Sequence, residues 1–98
     1  MLLDVSHISQ IPASPAKRNI LRAITVFEKK TGIDLKNRRW YVVASMSSEY
    51  SKAFPEALEE VITDRNCSPC GYRVEFDAAL ASEIWLVCDG RCVMWSRL

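Results

Sequence analysis

Ile84-Trp85-Leu86-Val87-Cys88-Asp89-Gly90-Arg91-Cys92-Val93-Met94-Trp95 is the stretch on which the fold turns. Two apolar runs flank Asp89-Gly90, a dipeptide that tolerates the positive φ angles of the two-residue turns that match strand twist. The reading is a β-hairpin. With a two-residue turn, Cys88 pairs with Arg91 and Val87 with Cys92, and alternation sends the two cysteines to opposite faces. A three-residue loop would pair Cys88 with Cys92, put both sulfurs on one face and set Trp85 opposite Trp95. The Asp-Gly signal favours the first register.

Upstream of the hairpin, Tyr72-Arg73-Val74-Glu75-Phe76 follows Gly71 and alternates strictly, as a strand with one solvated face does. Residues 77–83 read as a short helical turn or loop. Arg39-Trp40-Tyr41-Val42-Val43-Ala44-Ser45-Met46 is an almost unbroken apolar run, the pattern of a central strand covered on both faces. Between these strands a helix is expected to start at Pro55, because Phe54 before it is pushed out of helical geometry. That helix turns Leu58, Val61 and Ile62 inward and Glu56, Glu59, Glu60 and Asp64 outward, and residues 47–53 can add a turn ahead of it.

The first element is the plainest. Ser14 can cap, Pro15 suits a first helical position, and Ala16, Ile20, Ala23, Ile24 and Phe27 recur on one face as far as Lys30. Thr31-Gly32 ends it. The order is therefore α-β-α-β-β-β. A β-α-β unit with parallel neighbours is followed by an antiparallel hairpin. The expectation is an α/β domain of the α+β type spanning residues 1–98, a mixed four-stranded sheet with two helices packed on it.

Composition sets bounds on function. The 98 residues are 49% hydrophobic and 26% charged, enough for one core and unlike a disordered chain. A net charge of +1 gives no general pull toward nucleic acid or an anionic membrane, so such contacts need a local patch. The apolar start Met1-Leu2-Leu3 is broken by Asp4, and no run is long enough to cross a bilayer. A cytoplasmic protein with reduced thiols is expected.

Cys67, Cys70, Cys88 and Cys92 form C-x2-C-x17-C-x3-C. Two close pairs of thiols suggest zinc, and Cys67-Ser68-Pro69-Cys70-Gly71 resembles the knuckle of a zinc ribbon. The hairpin register argues the other way, so free structural thiols and no cofactor are expected, with zinc on all four cysteines as the alternative. A thiol oxidoreductase fits less well, since Cys67 follows a helix instead of opening one. His7, the lone histidine, is read as a surface or packing residue, and Gly32, Gly71 and Gly90 end elements instead of cradling phosphate. No catalytic set is visible.

Two surfaces are candidates for binding. Arg18, Arg22, Lys29, Arg38 and Arg39, beside Trp40 and Tyr41, are the residues that could grip a phosphate backbone. The last strand, expected at a sheet edge, carries Arg91, Met94 and Trp95; whichever of Met94 and Trp95 faces outward joins Trp85 or Leu86 of the neighbouring strand, depending on register, in an apolar patch rimmed by arginine, as interface centres are. The expected function is non-enzymatic: a small protein-binding regulator, inhibitor or adaptor of the kind mobile elements encode. The partner is expected to be another protein, with neither nucleic acid nor membrane engaged. A zinc-supported nucleic-acid module is the first alternative and a thiol-based enzyme the second.

Overall fold

The computed structural model describes residues 15–76 and 82–97. The readings made for Ser14, His7 and residues 77–81 lie outside them. The elements follow the expected order: α1 (Pro15–Thr31), β1 (Trp40–Met46), α2 (Ser48–Arg65), β2 (Gly71–Phe76), β3 (Ser82–Cys88) and β4 (Arg91–Arg97). The sheet has four strands in the order β2-β1-β3-β4, with β1 and β2 parallel and the other neighbours antiparallel.

Helix α1 lies over β3 and β4, α2 lies over β1 and β2, and the helices pack on each other. The core sits between these layers. Ala16, Ile20, Ala23, Ile24 and Phe27 of α1 meet Phe54, Ala57, Leu58 and Val61 of α2, with Trp40, Val42, Ala44, Met46, Ile84 and Leu86 below. The salt bridges of Lys17 to Asp64 at 2.7 Å and of Arg65 to Glu28 at 2.9 Å tie the helices at their rims. Hydrogen bonding to Asp64, then to Glu60, holds the Lys17 ammonium above the usual lysine range.

Gly32 takes a positive φ of 72° just past α1, which is the left-handed exit its sequence suggested. Asn66, left-handed at φ 51°, ends α2 and donates its N–H to the Ile62 carbonyl. At the hairpin, Asp89 at φ 52° and Gly90 at φ 74° form the two-residue turn. Cys88 pairs with Arg91 and Val87 with Cys92, so Met94, and not Trp95, stands opposite Trp85.

Four expectations need correction. First, β1 is central but covered on one face only: Trp40, Val42, Ala44 and Met46 are buried while Tyr41, Val43 and Ser45 are half-buried. Those three are shielded by neighbours in the sheet plane, such as Trp85 opposite Val43, so apolar residues persist without a second layer. Second, α2 runs straight through Pro55 from Ser48. An interior proline costs about 3 kcal/mol. Full burial of Phe54, whose ring sits 5.9 Å from that of Tyr72, returns about 1.5–3 kcal/mol, and the preceding turn adds to it. Third, β3 begins at Ser82, two residues before the apolar run, because Ser82 and Glu83 pair with Arg97 and Ser96. Fourth, burial in β2 does not alternate as expected: of the helix-side residues only Val74 is half-buried, and the edge position leaves Tyr72 and Phe76 exposed.

Candidate functional site

Strand parity decides what the uncovered face of the sheet presents. Residues of odd number in β1, β2 and β3, and of even number in β4, point away from the helices. Directly opposed across the sheet, they form a central row of Arg73, Val43, Trp85 and Met94. Beside it run Gly71, Tyr41, Val87 and Cys92. Trp85 (40% exposed), Val87 (37%) and Met94 (39%) are the large apolar groups exposed in this pair of rows. Gly71 is needed here: a β-carbon on it would fall 2.8 Å from Cε2 of Tyr41, so its absence lets that ring lie across β2. Arg73 pairs with Glu75 at the rim, which keeps the guanidinium above its ordinary range. Among the described residues no element covers this face.

The four residues expected to bind a partner are thus divided. Trp85 and Met94 share the open face. Arg91 and Trp95 belong to the other face of β4, where Trp95 is half-buried against the core. There Trp95 forms one wall of a groove of about 380 Å³ whose other lining is α1: Arg18, Leu21, Arg22, Thr25 and Val26. Sequence reasoning missed Val43 and Val87 on the open face and Leu21 and Val26 in the groove. Parity in the hairpin would have found Val87, while the groove depends on where α1 crosses β4, which no local pattern encodes.

The basic residues do not converge. Arg18 and Arg22 flank the groove, whereas Arg38 pairs with Asp89 of the hairpin turn. Arg39 and Lys29 are exposed elsewhere on the surface.

The cysteines divide in the same way. Cys67 and Cys88 are buried, Cys70 and Cys92 exposed, and all four are free thiols. Desolvation raises the Cys67 thiol pKa above its ordinary value, and the nearby Arg65 guanidinium only partly opposes that. Cys88 is also raised, by burial first and then by the carboxylate of Asp89. Both stay protonated at neutral pH and are poor nucleophiles. Cys70 donates its N–H to the Trp40 carbonyl at 2.7 Å, and Trp40 is the register partner of Cys88. Cys70 and Cys88 therefore lie two strand spacings apart, about 10 Å, beyond the reach of a disulfide. Cys88 and Cys92 face opposite sides of the hairpin. Among the described residues no three of His, Cys, Asp or Glu gather where they could hold a metal ion.

The purified protein is accordingly expected to carry no stoichiometric zinc and to melt at the same temperature with and without a chelator. Zinc bound in equimolar amount, with unfolding on chelation, would show that the hairpin adopts the other register.

Among the described residues no helix is long and apolar enough to cross a membrane. No family model, no curated protein and no solved structure matches this chain.

Proposed function

We propose that the protein is a non-enzymatic protein-binding module, a small regulator, inhibitor or adaptor that works in the cytoplasm by surface complementarity. The observation that carries the reading is the open face of the sheet, where Trp85 and Met94 stand directly opposite each other with Val87 alongside, each more than a third exposed. Large apolar groups gathered on one face and rimmed by charge are the usual centre of an interface. The raised thiols and the scattered basic residues favour this reading over thiol chemistry or a phosphate-tracking surface.

Affinity isolation from the native host with mass spectrometry tests it. Wild-type protein is expected to retain a specific protein partner. Trp85→Ala and Met94→Ala are expected to release it at only a modest cost in melting temperature, since each is more than a third exposed and neither belongs to the enclosed core. If neither change affects retention, or both melt the fold, the open face is not the docking surface.

A further inference from the structure

We infer that β4 accepts an extended, acidic peptide segment of its partner as a fifth strand, seated in the groove between β4 and α1. The inference rests on the protein-binding reading above and names the chemistry of what is bound. Its first support is backbone geometry. The two residues flanking a two-residue turn exchange both of their hydrogen bonds. From the register, Arg91, Val93, Trp95 and Arg97 therefore bond to β3, while Cys92, Met94 and Ser96 turn their N–H and C=O groups away from it. β4 ends the sheet, and among the described residues nothing pairs with that edge. Three successive outward-facing residues offer a ladder to an added strand.

The second support is what flanks the ladder. Apolar Leu21, Val26 and Trp95 line the groove, and Arg18 and Arg22, one helical turn apart, flank it. Among the described residues neither arginine has a salt-bridge partner, although Lys17, Arg38, Arg65 and Arg73 do. On the helix side β4 reads Arg91, Val93, Trp95, Arg97, a charge at each end and two apolar groups between. Residues directly opposite across a strand pair interact most. The complementary segment has the pattern acid-x-apolar-x-apolar-x-acid, its apolar side chains entering the groove and its carboxylates meeting Arg91 and Arg97. Its intervening side chains lie beside Cys92, Met94 and Ser96, so one added strand reaches both halves of the divided patch.

The same arginines exclude a second copy of this chain. Antiparallel pairing of β4 with itself about Met94 would set Arg91 opposite Arg97 at both ends, and like charges in direct opposition destabilise a pair. The edge therefore selects an anionic strand.

The test is fluorescence anisotropy on the full chain with a labelled peptide containing Glu-Thr-Val-Thr-Leu-Thr-Glu. Binding is expected, weakening as salt rises. It is also expected to weaken at least about tenfold when lysine replaces both glutamates. Ser96→Pro removes an outward N–H without touching a β3 bond, and should lower affinity by roughly tenfold or more. Should that variant fold poorly by circular dichroism, the double change Arg91→Glu and Arg97→Glu, at two exposed positions, serves instead. It should lose the glutamate peptide and bind the lysine peptide better than wild type does. No binding to wild type overturns the inference, as does binding that neither variant changes. A wild-type dimer dissolved by Ser96→Pro overturns it in favour of self-pairing. Trp85→Ala reads the other face, so loss of the cellular partner there with no peptide binding here would sink this inference alone.

Discussion

Ile24→Asp is expected to cost about 3–5 kcal/mol, most of the stability a domain of this size ordinarily has. Ile24 is completely buried in α1. Its neighbours on that face, Ile20, Ala23 and Phe27, are apolar and equally enclosed, and none can accept or donate a hydrogen bond to a carboxylate. The substitution removes the transfer free energy of the aliphatic side chain and leaves a charge with no partner in its place. Thermal unfolding followed by circular dichroism should shift down by about 15 °C or more. The sign of the pH dependence follows. Burial disfavours the ionised form, so the new carboxyl is neutralised more readily in the folded state, and the deficit should shrink as pH falls toward 4. Ile24→Asn, which cannot ionise, should lack that recovery. An unchanged melting temperature would mean that α1 presents a different face to the sheet.

That face was legible because helical periodicity is a local property. Ala16, Ile20, Ala23, Ile24 and Phe27 recur at the spacing of one helix stripe, and all five are buried. The hairpin was legible for a similar reason: Asp89 and Gly90 both need positive φ, and few dipeptides tolerate that twice in succession. Where the sequence misled, long-range burial outweighed a local rule. Pro55 signals a helix start by its own geometry, yet Phe54 is buried in the core and carries the helix past it. The apolar run of β1 suggests two covered faces, but Tyr41, Val43 and Ser45 are sheltered by adjacent strands, which a single segment cannot reveal.

The candidate sites were half legible. Composition pointed to the tryptophans and Met94, and the turn type settled which of them share a face. The pairing of Trp85 with Met94 follows once the register is known. The groove does not follow. Leu21 sits at the edge of the α1 stripe and Arg18 and Arg22 look like a solvated face until Trp95 is brought against them from the far end of the chain. A surface made from segments this remote has no signature in either one.

Trp40 is where the core and the thiols meet, and removing its ring should have the second large effect. The side chain is 1% exposed and lies on the helix-side face of β1. Cys88 is its register partner on that face, and on the other side its carbonyl accepts the Cys70 backbone N–H. Trp40→Ala should cost about 3–5 kcal/mol from lost burial and the cavity left behind. Trp40→Phe should cost far less. It keeps an aromatic ring and deletes an indole N–H that is buried without an acceptor, a group whose burial itself costs about 1–3 kcal/mol. Thiol labelling adds a local readout. In wild type the exposed Cys70 and Cys92 should react with a thiol reagent at once, while Cys67 and Cys88, enclosed and with raised pKa values, react only on opening. Trp40→Ala should bring Cys67 and Cys88 to nearly the rate of the exposed pair, and Trp40→Phe should keep them slow. If alanine at this position costs less than about 1 kcal/mol and leaves both thiols protected, the core is held by the aliphatic layer of α1 and β3 instead, with the indole only filling space above it.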